Sequence, residues 1–212
     1  MKTTIKIVGV LILLLATFGN GMTVSAGGGG GGTFKLKGQS ANAHFSNVDL
    51  SGCIYTDVYL YASEEIVSTQ PGPGTPSSGA SVSIYQFDAC AGTQLLGADG
   101  FVPLAGPDFQ VSKKLDSAAL NTTITVFDYL TGSSYDVSIA LTWTATSPLG
   151  RQTSQSHYQF AGCHQTYHNN GTFRFAQVSG SVSDGVTDFA ASPFSDASIS
   201  SVKTGSVSTG CI

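Results

Sequence analysis

Tyr55, Asp57, Tyr59 and Tyr61 offer the most coherent chemistry in this chain of 212 residues. Side chains of an extended segment alternate between two faces, so these four share one. Three phenol rings in a row, with a carboxylate among them, form a surface on which sugar rings can stack. Asp57 or a phenol hydroxyl would then fix the orientation of the sugar. The intervening Ile54, Thr56, Val58 and Leu60 form the set that should turn inward.

The other reactive groups are scattered. His164 and His168 stand four apart, which on a strand separates them by ~13 Å, too far for one ion. A metal site would need His44 or His157 to converge on them through the fold. Asp57 and Asp88 could meet across a hairpin, and glycoside chemistry needs two carboxylates within roughly 5–10 Å. The bland alternative is two half-exposed strand aspartates. No G-x-S-x-G marks a nucleophilic serine. Asp184, Asp188 and Asp196 lack the D-x-D-x-D-G spacing of a calcium loop. Asn121 and Asn170 open N-x-T triplets, which are common by chance in a Thr-rich chain. The reading is therefore of a non-enzymatic protein with no catalytic residue, no metal and no cofactor assigned.

Four cysteines, Cys53, Cys90, Cys163 and Cys211, are spaced by 37, 73 and 48 residues. Zinc sites use close pairs such as C-x-x-C, so these gaps favour two disulfides. Such bridges imply an oxidising compartment.

The first 26 residues support that compartment. Lys2 and Lys6 precede an apolar run from Ile7 to Phe18, and Val24-Ser25-Ala26 supplies small residues for cleavage. The expectation is a secretory signal peptide over 1–26, with no membrane segment left after its removal. Losing Lys2 and Lys6 takes the formal charge from −4 to −6. An acidic, lysine-poor chain is a poor ligand for nucleic acid or anionic membrane. Residues 27–32 are all glycine and read as a flexible tether. Residues 33–212 should then form a single domain.

The elements that must position these groups are strands. From Tyr135 to Thr146, the apolar Val137, Ile139, Leu141, Trp143 and Ala145 alternate with mostly polar residues. That period of two marks a central strand with one buried face. Nowhere does a helical i, i+3, i+4, i+7 pattern persist. Thr33 to Phe45 reads as a bent strand or a strand pair, broken at Gly38. Cys53 to Ala62 and Ala80 to Ala89 read as a hairpin around the Pro71-Gly72 loop, with paired residue numbers summing to about 143. Cys53 would then meet Cys90, leaving Cys163 for Cys211. Asp108 to Leu115 alternates as a strand, and Ser117 to Leu120 suggests one helical turn. Asn121 to Tyr129 should join the central strand by a two-residue turn at Gly132-Ser133, setting Ile124 opposite Leu141 and Val126 opposite Ile139. Tyr158 and Phe160 are the expected inward pair of the next strand. Asn170-Gly171 signals a further hairpin turn.

Nine or ten short strands with turns between them predict an all-β fold, a two-sheet antiparallel sandwich or jelly roll stapled by disulfides. It is not an immunoglobulin domain: Cys90, Trp143 and Cys163 are wrongly spaced, and Ala161 occupies the tyrosine-corner position. The function expected is that of a secreted or cell-surface protein acting by binding or self-assembly. The alternative is a carbohydrate-binding or carbohydrate-active protein using the tyrosine face. The partners would be a polysaccharide or cell-surface polymer, or another copy of the chain.

Overall fold

The computed structural model describes residues 32–69, 74–160, 163–192 and 194–211. The expected signal peptide, nearly all of the glycine tether and the Pro71-Gly72 loop lie outside them. Among the described residues, ten strands account for most of the chain: β1 Gly32–Val48, β2 Ile54–Thr69, β3 Thr75–Asp88, β4 Thr93–Pro103, β5 Phe109–Val111, β6 Ser117–Asp128, β7 Ser133–Ala145, β8 Gly150–Phe160, β9 Cys163–Ser183 and β10 Phe194–Cys211. All strand pairings are antiparallel.

The strands form one sheet in the order β10-β1-β2-β3-β4-β6-β7-β9-β8, and β10 also pairs with β9. The sheet therefore returns on itself. The two layers expected of a sandwich are opposite walls of this single sheet. Their inward residues, among them Val58 and Leu60 on β2 and Ile139 and Leu141 on β7, belong to one core. Trp143 is fully buried, and its indole N–H donates to the Asn42 carbonyl oxygen at 2.7 Å, joining β7 to β1. Burial of each such Val, Leu or Ile stabilises the fold by about 1.5–3 kcal/mol.

Alternation decides the local structure. In β6, Ala118 and Leu120 are buried while Ser117 and Ala119 are exposed, so the helical turn expected there is instead the start of a strand. The strand expected from Asp108 shrinks to Phe109–Val111, because the chain turns at Leu115, whose φ is 57° and whose side chain enters the core. On β8, Tyr158 does not point into the core. That strand lies past it, and Tyr158 packs edge-on against Tyr167 with ring centroids 5.7 Å apart. The side chain of Phe160 lies outside the described ones.

Registers depart from the expected ones in two places. In the β6–β7 hairpin, Ile124 faces Val137 and Val126 faces Tyr135. The loop has four residues, 129–132, between the pair Asp128 and Ser133. Asp128 builds it: its carboxylate accepts the Leu130 N–H and the Thr131 hydroxyl, and Gly132 takes the left-handed φ of 70°. The partners move by four residues, an even number, so every inward side chain stays inward. The second departure is at Asn170-Gly171, which lies inside β9 rather than at a turn. A Cβ on the buried Gly171 would collide with the Ser201 carbonyl oxygen, so glycine serves close strand approach there. The β8–β9 register pairs Phe160 with Cys163, and residues 161 and 162 lie outside the described ones.

The Cys53–Cys90 bridge is formed, with Cα atoms 5.3 Å apart. The β9–β10 ladder sets Cys163 directly opposite Cys211.

Several strands run on past the core. On β1 the inward series Phe45, Ala43, Ala41 gives way to Gln39, Lys37 and Lys35. On β2 it passes from Leu60 and Ala62 to Glu64, Ile66 and Ser68. The inner wall thus changes from apolar to polar along the same strands.

Candidate functional site on the outer wall

Pairing fixes what stands on the outer wall, since cross-strand partners share a face. One row reads Val48–Tyr55–Phe87 and the next Ser46–Asp57–Tyr85. The third reads His44–Tyr59–Ser83–Asp99–Phe127, and the fourth Asn42–Tyr61–Ser81–Phe101. All four predicted residues, Tyr55, Asp57, Tyr59 and Tyr61, therefore share one surface while Val58 and Leu60 point inward to the core.

Their environments differ. Tyr59 is clamped rather than free. The His44 ring lies flat against it at a centroid distance of 4.3 Å and an interplanar angle of 4°. Tyr85 meets it edge-on at 6.3 Å. His44 Nε2 reaches Asp57 Oδ1 at 3.0 Å, so the carboxylate orients the histidine that supports the tyrosine. Tyr85 in turn donates its hydroxyl to Asp99 at 3.2 Å. Burial pushes the phenols of Tyr59 and Tyr85 up, and the Asp57 charge adds to the effect on Tyr59. Both stay neutral hydroxyl donors at ordinary pH. Tyr61 leans toward Glu65, and its phenol is raised by burial and then by the Glu65 charge.

Besides Tyr61, the exposed rings on this wall among the described residues include Tyr55, Phe87, Phe101, Phe127 and Tyr129. Two of them cover glycines. Phe101 lies over Gly79, and Tyr129 lies over Gly97 while its hydroxyl accepts from Gln94 at 3.0 Å. A Cβ at either glycine would strike the ring. Tyr85, Asp99, Phe127 and Tyr129 carry no sequence signal for this surface, and His44 stands out in the sequence only as a candidate metal ligand. Alternation puts His44 outward, but only the pairing of β1 with β2 sets it on Tyr59. Such a wall can stack planar apolar rings and offer hydroxyls and carboxylates beside them.

The other candidates separate. Asp57 pairs with Tyr85 and Asp88 with Ile54, three residues along, so the two aspartates point to opposite faces. The Asp88 carboxylate is occupied by the N–H groups of Cys90 and Ala91. Asp184 accepts the N–H groups of Val186 and Thr187, and Asp188 accepts those of Val182 and Ala190. These are loop-building roles. Among the described residues, the one grouping of three metal-ligand types is Cys53, Asp88 and Cys90, and its two sulfurs are bonded to each other. His157 and His164 come within 6.2 Å by ring centroids, with His157 held by the Thr166 hydroxyl at 2.9 Å.

No family model matches the chain, and no curated protein matches it. Among solved structures, a candidate AttH protein from Nitrosomonas europaea is similar at 11% identity and a TM-score of 0.30, covering 85% of this chain and 51% of that one. The chain thus spans about half the length of that structure. The disulfide fits an oxidising compartment rather than the cytosol. Among the described residues no helix is long and apolar enough to cross a membrane.

Proposed function

We propose that this chain is an exported, non-catalytic protein that acts by binding, and that its outer wall takes a carbohydrate chain. The observation carrying this reading is the convergence of five exposed rings with Asp57, Tyr85 and Asp99 on one surface. Isolated exposed apolar residues are normal, but a contiguous set edged by polar groups is characteristic of interaction surfaces. Rings supply stacking area at low entropic cost, and the clamped His44–Tyr59 pair keeps the surface rigid. The basic, apolar and small-residue regions of the leader, together with the disulfide, support export.

A glycan array probed with the exported chain tests the proposal. Binding to a subset of glycans is expected, reduced about tenfold or more by Tyr55→Ala with Phe127→Ala. Retained binding in that double variant, or no binding by the parent, ends the reading.

A second reading, self-assembly, is favoured by β8. Among the described residues it pairs only with β9, and Arg151 is the single charge in its sequence. Open edges with few charges and no proline recruit further strands. Light scattering over a hundredfold range of concentration should then show growing particles, and a strict monomer would remove this reading.

A further inference from the structure

We propose that the polar inner wall beyond the core is a binding cleft for an acidic polysaccharide, held by Lys35, Lys37 and Lys203. This stands on different residues from the outer wall and does not depend on it.

The cleft is a cavity of about 630 Å³ between β1 and β2 on one side and β8, β9 and β10 on the other. The three lysines line it together with His168, Gln155 and Asn170. Their presence is not what composition predicts. The chain has nine Lys and Arg, two of them in the leader, which leaves 9 − 2 = 7. Three of those seven meet here, in a chain whose formal charge without the leader is −6. No Asp or Glu lines the cavity. Among the described residues none of the three lysines forms an ion pair, whereas Arg174 is paired with Asp116. Glu64 stands on the same wall beside Ile66 but does not line the cavity, so the three lysines gather there with no carboxylate among its lining residues, and an anionic partner is the natural compensation.

Backbone irregularity aims two of them. The β1–β10 ladder is regular except between Leu36 and Gly38, where Lys37 stands against Lys203 and Thr204 without a one-to-one partner. The β10–β9 ladder slips at the same place, between Val202 and Thr204. Bulges re-aim side chains and occur often beside functional sites. Here both displaced lysines line one cavity.

The remaining lining identifies the ligand class. Amides of Gln155 and Asn170 and hydroxyls of Thr153, Thr204 and Ser206 suit sugar hydroxyls. No Phe, Tyr or Trp lines the cavity, so the aromatic platforms on which nucleic-acid bases stack are missing. The polar wall also continues along β8, where Arg151 pairs with Thr172 and His157 with Thr166 on the same face as Thr153 and Gln155. The six residue steps from Arg151 to His157 span about 20 Å, which favours an extended chain over a small ion.

The test measures binding of the exported chain to polygalacturonate and dextran sulfate, with uncharged dextran and a single-stranded oligonucleotide as comparisons. Binding to both acidic polymers is expected, weakening as salt rises. Lys37→Gln and Lys203→Gln should each weaken it about tenfold, one charge-assisted contact. Lys203→Arg should retain most of it, which separates charge from folding. Lys113→Gln with Lys114→Gln, exposed and outside the cavity, should change it little. Equal losses from the two lysine pairs, or no binding to either acidic polymer, would overturn the proposal. Tighter binding to the oligonucleotide would overturn the assignment of ligand class.

Discussion

The indole N–H of Trp143 donates to the carbonyl oxygen of Asn42 across 101 residues of sequence. It ties the central strand to the first strand of the opposite wall, at a side chain with no solvent exposure. Replacing it tests how far the closed sheet depends on this one contact. Trp143→Phe removes the donor and part of the ring, and should cost about 1–3 kcal/mol. Trp143→Ala should cost about 3–5 kcal/mol, because a cavity is added to the lost transfer energy. Urea unfolding would report both, and a Phe variant as stable as the parent would show that the contact contributes nothing.

Cysteine pairing supplies the next prediction. The Cys53–Cys90 bridge joins residues 37 apart and restricts the unfolded chain, for a stabilisation of about 2–4 kcal/mol. Cys53→Ser with Cys90→Ser should lower the unfolding free energy by that amount. Because Cys163 and Cys211 are register partners, their backbones lie at the separation a bridge needs. A non-reducing peptide map should therefore recover a second linked pair joining these two. Free thiols at both positions in exported material would refute it.

Asp128 gives a pH prediction with a definite sign. Hydrogen bonds from the Thr131 hydroxyl and the Leu130 N–H hold its carboxyl below the ordinary value. A depressed carboxyl contributes stability above its unfolded pKa, near 3.9, and loses that contribution as pH falls through the lower folded value. Asp128→Asn should lower the thermal midpoint at pH 7, and the gap should close below about pH 4. Midpoint curves that stay parallel from pH 7 to pH 2 would mean that the charge does not hold this turn.

How much of this was legible in the sequence depends on whether a signal is local. Alternation in Val137, Ile139, Leu141 and Trp143 specifies both strand and buried face, and all four are buried. The approximate sum for the first hairpin was enough to pair Cys53 with Cys90. Gly132 marked a turn, but the loop length was set by the Asp128 carboxylate, which pattern alone does not weigh. Asn170-Gly171 has turn chemistry, yet β9 runs straight through it because two neighbouring ladders hold both of its edges. The tyrosine face was readable from spacing. Its supports His44, Tyr85 and Asp99 were not, since each arrives from a different strand. The lysine cleft was invisible for the same reason: Lys35 and Lys203 are 168 positions apart and line one cavity only because β1 and β10 pair.

Glu65 closes the series with the opposite sign. It stands half-buried beside Tyr61, whose hydroxyl approaches its carboxylate at 3.4 Å. Burial pushes its carboxyl up, and the Tyr61 hydrogen bond only partly opposes this. A carboxyl raised on folding favours the native state below its unfolded pKa, near 4.3, and loses that advantage as pH rises through the folded value. At neutral pH the charged form is therefore disfavoured in the folded protein. Glu65→Gln keeps the shape and an acceptor for Tyr61 without the charge, so it should be the more stable protein at pH 7. Solvent screening limits the gain to under about 1 kcal/mol. The advantage should vanish below about pH 4, where the parent carboxyl is protonated in both states. Glu64→Gln, on the exposed neighbour, serves as the control. Chemical unfolding of both variants at pH 3.5 and pH 7 distinguishes them, and a Glu65→Gln variant less stable at pH 7 would show that the carboxylate has a favourable partner there.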